Sequence, residues 1–143
     1  MNAKQYRVRE GGCLCGAVRY AVSGPLRPVI LCHCTQCRRS TGHFMAATAA
    51  RHRDFRLLSQ QQLRWYESSA EARRGFCGRC GSVLFWQGAG REYISIAPGS
   101  LDGDTELESA CHIFVADKGD YYSIDDGLPQ HPGHGPGVPL PEG

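Results

Sequence analysis

The sequence predicts a mainly β domain of small antiparallel sheets with few short helical turns, and three observations carry that prediction. Short runs rich in β-branched and aromatic residues recur along the chain, and Gly, Pro, Ser or Asp bound many of their ends. No stretch offers three clean helical turns. Eight cysteines in 143 residues fall mostly into tight clusters, so a limited core has a metal staple within reach.

The expected strands, in order, are Tyr6–Glu10 (YRVRE), Ala17–Val22 (AVRYAV), Val29–Cys32 (VILC), Phe44–Thr48 (FMAAT), Gln62–Glu67 (QLRWYE), Val83–Trp86 (VLFW), Tyr93–Ala97 (YISIA) and Ala110–Val115 (ACHIFV). Their shortness and composition suit two small sheets packed on one core. Thr35–Ser40 reads as one helical turn, and a second turn is expected near Leu101–Thr105. From His131 to Gly143 four Pro and four Gly occupy thirteen positions, which reads as a mobile tail after a single domain over residues 1–130. The tail histidines, His131 and His134, are expected as solvated groups rather than ligands.

Length and composition bound the function. One domain is expected, not separate cofactor and substrate lobes, and 41% hydrophobic residues describe a folded chain rather than a disordered one. Met1–Arg9 has no apolar stretch, and nothing approaches the roughly 18 apolar residues of a spanning helix, so a cytoplasmic location is expected. The net charge of +2 conceals a split, with 15 Lys+Arg against 4 Asp+Glu in residues 1–91 and 1 against 10 in residues 92–143.

In a reducing compartment, clustered thiols point to metal ligation more than to disulfides. Cys13-Leu14-Cys15 in extended backbone presents two thiols on one face, and Cys77-Gly78-Arg79-Cys80 supplies a second pair through a tight turn. Two plus two gives the closed tetrahedral donor set of a structural zinc. The segment Cys32-His33-Cys34-Thr35-Gln36-Cys37 differs, because three thiols leave one tetrahedral position open, as at a catalytic zinc. Such a site suits holding a substrate thiol as thiolate. Cys111 or His112 would close it and make it structural; the alternative for Cys111 is a buried small hydrophobe. His33, between two cysteines of a strand, is expected to face away from them.

The three motifs together resemble the glutathione-dependent formaldehyde-activating enzyme family, which includes centromere protein V. The resemblance runs through Gly11-Gly12-Cys13-Leu14-Cys15-Gly16-Ala17-Val18-Arg19-Tyr20, Cys32-His33-Cys34-Thr35-Gln36-Cys37-Arg38-Arg39-Ser40-Thr41-Gly42 and Phe76-Cys77-Gly78-Arg79-Cys80-Gly81-Ser82. It extends weakly to His112-Ile113-Phe114-Val115 and Asp125-Asp126-Gly127-Leu128-Pro129. It implies a β-tent fold with two zinc ions, a structural one on Cys13, Cys15, Cys77 and Cys80 and a labile catalytic one on Cys32, Cys34 and Cys37. It also implies carbon–sulfur lyase chemistry relating S-hydroxymethylglutathione to glutathione and formaldehyde.

Arg38 and Arg39, directly after the open cluster, are candidate contacts for a substrate carboxylate. His33, His43 and His112 are the candidate general bases near the motifs. The competing expectation is a non-catalytic zinc-stabilised module that binds nucleic acid or a protein partner, through Arg51-His52-Arg53-Asp54-Phe55-Arg56 with Trp65 and Tyr66. The low net charge argues against strong non-specific DNA binding.

Overall fold

A computed structural model describes residues 7–142; Tyr6, the first residue of the first expected strand, lies outside them. Ten strands and one helix follow in the order β1 (Arg9–Gly12), β2 (Arg19–Val22), β3 (Val29–Cys32), α1 (Thr35–Thr41), β4 (Met45–Arg51), β5 (Phe55–Ser59), β6 (Leu63–Ser69), β7 (Ala72–Cys77), β8 (Val83–Gly88), β9 (Tyr93–Ile96) and β10 (Ser109–Ile113). Short 3-10 turns occupy His52–Asp54, Pro98–Ser100 and Val115–Asp117. No helical turn forms over Leu101–Thr105, where one was expected; the turn lies just before it, at Pro98–Ser100, where Pro98 presets the backbone.

The strands form a three-stranded sheet, β1-β2-β5, and a seven-stranded sheet, β10-β3-β4-β9-β8-β7-β6. Both sheets are larger than the sequence suggests, because β5 of the first and β7 of the second were not among the expected strands. Both of these strands are arginine-bearing (FRLLS and ARRGFC), and their apolar alternation is weak. Strand β7 nevertheless pairs on both sides, with β6 and β8. Pairing is antiparallel apart from β10 with β3, which run parallel with Ile113 opposite Cys32 and Cys111 opposite Ile30. The chain between these two strands is long enough to return in the same direction.

The core lies between the sheets. Tyr20 and Val22 of β2 meet Leu84 and Phe85 of β8 and Ile94 and Ile96 of β9 in one buried cluster. The Tyr20 ring stacks on Phe55 at 5.6 Å and meets Phe85 edge-on at 5.3 Å. Each such ring contributes roughly 1.5–3 kcal/mol by leaving water. Gly75 of β7 is required by this packing, because a Cβ there would come within 3.0 Å of both Phe85 and Trp65.

The stretch expected as a mobile tail begins in hydrogen-bonded contact with β10. His131 N–H donates to His112 O, Val115 N–H to His131 O, and Phe114 N–H to Gly133 O. Strand β10 is at the sheet edge, so its outward backbone groups need partners, and residues 129–133 supply them. Among the described residues, no helix is long and apolar enough to cross a membrane.

Candidate metal centre

Two groups of cysteines come together, and all eight cysteines are free of disulfides. In the first, the sulfurs of Cys13, Cys15, Cys77 and Cys80 all lie within 4.8 Å of one another. Cys13 Sγ is 3.6 Å from Cys15 Sγ, and Cys15 Sγ is 3.8 Å from Cys77 Sγ. A tetrahedron with zinc–sulfur bonds of about 2.3 Å has edges of about 3.8 Å, so these spacings fit zinc. The loop after β1 brings in one pair and the β7–β8 turn the other.

Backbone and hydroxyl donors surround these sulfurs. Val18 N–H donates to Cys13 Sγ at 3.2 Å, and the N–H groups of Arg79 and Cys80 point at Cys77 Sγ at 3.3 and 3.4 Å. The Ser82 hydroxyl lies 3.2 Å from Cys80 Sγ and, with the Ser82 backbone, pulls that thiol down to about 5. Donors placed this way disperse thiolate charge. Gly81, at φ +81, closes the turn with its N–H on Cys77 O.

The second group, Cys32, Cys34 and Cys37, has its three sulfurs within 4.8 Å of one another. Cys32 ends β3, while Cys34 is the N-cap of α1 and accepts from Cys37 N–H at 3.3 Å. The cap turns the chain, and the one-turn spacing brings Cys37 back over Cys34. The Cys32 thiol is pushed well up by its neighbours Cys34 and Cys37, and Cys34 is pulled down by the same contacts, to about 2. Three sulfurs so close do not all ionise together unless a cation joins them, as expected of a metal-ligating set.

Among the described residues no fourth Cys, His, Asp or Glu joins this group. Cys111 is buried opposite Ile30 on β10. Both ring nitrogens of His112 are engaged elsewhere, Nδ1 with His33 at 2.8 Å and Nε2 with Asp126 at 2.7 Å. His33 is turned away from the cysteines that flank it, fully buried and also bonded to the Tyr122 hydroxyl.

A cavity of about 260 Å³ opens beside the three-cysteine group, and its wall includes Arg27, Cys32, Cys37, Arg74, Trp86 and Tyr93. Arg74 is buried and places Nη2 3.6 Å from Cys37 Sγ. Arg38 and Arg39 ride on α1 outside this lining, and none of His33, His43 and His112 reaches it; His134 does. His43 is instead bonded to the Tyr121 hydroxyl at 2.7 Å. Arg27 and Arg74 were not singled out as substrate contacts by sequence. For Arg74 the signal was strand parity, since Ala72 and Arg74 share a face of β7 while Arg73 turns outward to Gln87 and the Trp65 ring. Trp65 also stacks on Phe85, so it is committed to packing rather than free as a platform for bases.

The glutathione-dependent formaldehyde-activating enzyme family model matches residues 8–117. A solved structure, that of a Rhodobacter sphaeroides protein, is 28% identical, with a TM-score of 0.59 over 68% of this chain and 91% of that one. With both cysteine groups inside a match that spans most of the sequence, the chain belongs to the glutathione-dependent formaldehyde-activating enzyme family.

Proposed function

We propose that this protein is a zinc-dependent carbon–sulfur lyase acting on a thiol–aldehyde adduct of the S-hydroxymethylglutathione type. The observation that carries this reading is the three-sulfur group of Cys32, Cys34 and Cys37 at the wall of a cavity, with no fourth protein ligand among the described residues. Cys13, Cys15, Cys77 and Cys80 would hold a structural zinc, and Cys32, Cys34 and Cys37 a second one. A zinc ion held by Cys32, Cys34 and Cys37 would supply stabilisation of a substrate thiol as thiolate at neutral pH.

The chain's own residues then do the rest. Breaking the adduct cleaves the carbon–sulfur bond of the RS–CH₂OH unit with transfer of its hydroxyl proton to the departing sulfur, leaving a thiol and formaldehyde; the reverse addition uses the same atoms. Arg74, with Nη2 against Cys37 Sγ, offsets the charge of the thiolate group at the cavity wall. Trp86, Tyr93 and Met45 keep the cavity wall largely apolar, which strengthens that electrostatic contact. The cavity lining favours Arg27 and Arg74 over Arg38 and Arg39 as contacts for substrate. Eight unpaired cysteines are in keeping with a cytoplasmic location.

The test is metal content with and without a mild chelator, for the unaltered protein and for Cys34→Ser and Cys80→Ser. Two zinc ions are expected, one lost to the chelator without unfolding, with Cys80→Ser alone collapsing the fold. NMR of formaldehyde–glutathione exchange should show acceleration over buffer that Cys34→Ser abolishes. A Cys34→Ser protein that unfolds as readily as Cys80→Ser, or exchange no faster than in buffer, would overturn the reading.

A further inference from the structure

We infer that the cavity beside Cys32, Cys34 and Cys37 is a carboxylate subsite, anchored by Arg27, that selects thiols or thiol adducts bearing a carboxylate. The inference rests on the proposed binding of a thiol at this cluster. Arg27 and Arg74 both line the cavity, and each is only 7% exposed. Neither has an ion-pair partner among the described residues, and no Asp or Glu lies in the cavity wall. A guanidinium buried without counter-charge is costly, so each needs an account.

For Arg74 the account is mostly local. Nη2 reaches Cys37 Sγ, Nη1 reaches Ser40 Oγ at 3.3 Å and Met45 Sδ at 3.6 Å, and Nε is buried without a partner. Its charge answers the thiolates, and one donor is left over. Arg27 is different, because no sulfur is among its hydrogen-bond partners. Its Nε donates to Pro28 O at 3.3 Å and its Nη2 to Ala47 O at 2.8 Å, while the guanidinium stands 5.9 Å from the Tyr93 ring centre. Two carbonyls and a ring fix the fork but supply no full negative charge. A carboxylate supplies it in the geometry a guanidinium prefers. Trp86, Tyr93 and Phe114 surround the space, so such a pair forms against an apolar wall.

The experiment uses the zinc-loaded protein and calorimetric titration with mercaptoacetate, 3-mercaptopropionate and 2-mercaptoethanol. At least one carboxylated thiol should bind about tenfold or more tighter than 2-mercaptoethanol, the usual scale for a hydrogen bond to a charged group. Arg27→Met should bring that ratio close to one. A ratio near one in the unaltered protein means that the arginines only balance the thiolates, and overturns the subsite while leaving thiol binding intact. A ratio that survives Arg27→Met overturns it as well, whatever Arg74→Met does. Should no thiol bind, the lyase reading fails, and propionate followed by NMR then decides the subsite. Shifts at cavity residues that Arg27→Met removes support it, and no binding overturns it.

Discussion

His33 Nε2 lies 2.8 Å from His112 Nδ1, and this contact ties the turn between two cluster cysteines to strand β10. Asp126 accepts from His112 Nε2–H, and the hydrogen-bonded chain continues through His112 Nδ1 and His33 Nε2 to His33 Nδ1 and the Tyr122 hydroxyl. Burial, followed by the neighbouring His112, holds His33 down to about 4, so it works as a neutral strut.

Replacing His33 by Leu would leave His112 Nδ1 and the Tyr122 hydroxyl without their partner in a buried space. A loss of about 3 kcal/mol is expected, as for two buried polar groups left unpaired. Urea unfolding of the zinc-loaded protein measures it. A parallel fall in zinc affinity at the three-cysteine group, read by chelator competition, is expected because residues 32 and 34 flank the strut.

Asp126 is held below the usual carboxylate range, chiefly by the Leu128 N–H and then by His112. Its folded value therefore lies below its unfolded one, and its contribution to stability is present above the unfolded value and lost as pH falls through the folded one. Asp126→Asn keeps an acceptor for His112 but does not titrate. Thermal melts between pH 2.5 and 6 should show a shallower acid limb for this variant than for the unaltered protein.

Gly81 holds a left-handed backbone at φ +81 in the turn that presents Cys77 and Cys80. An added Cβ meets no neighbour there, so the cost of Gly81→Ala is conformational, about 1–2 kcal/mol. Since that turn belongs to the four-cysteine group, the expected result is a lower melting temperature with unchanged metal stoichiometry, checked by calorimetry and metal analysis.

The Tyr20 hydroxyl reaches Ser100 Oγ at 2.7 Å from within the core, and burial pushes its pKa up to about 12. Tyr20→Phe keeps the ring contacts and should cost about 1 kcal/mol. Phe85→Ala, which empties the space between both sheets, should cost about 3–5 kcal/mol. Urea titrations of the two variants separate hydrogen bonding from packing at this point.

Much of this was legible in the amino-acid order. Val29–Cys32 matches its expected span, and the other seven expected strands overlap β1, β2, β4, β6, β8, β9 and β10; both cysteine groups assemble as their spacing implied. The strands and the separate cysteine pairs are local features, set by alternation, by a cap and by two-residue or three-residue intervals. Strands β5 and β7 escaped because their arginines mask the alternation, and Arg74 is buried against Cys37, Ser40 and Met45 of other elements. The parallel pairing of β10 with β3 depends on contacts between residues far apart in the chain, to which a window of sequence is blind. Arg27 escaped for the same reason, since its partner Ala47 lies twenty residues on.

The four-cysteine group joins residues 62 apart, from Cys15 to Cys77. During synthesis at about 5–20 residues per second, the first pair of thiols waits roughly 3–12 s for the second to be made. For that interval the N-terminal strands β1 and β2 have no clamp, and their third partner β5 is itself made only shortly before Cys77. If this group holds zinc as proposed, the first pair of thiols stands without its full donor set throughout that window, open to oxidation or to a competing metal.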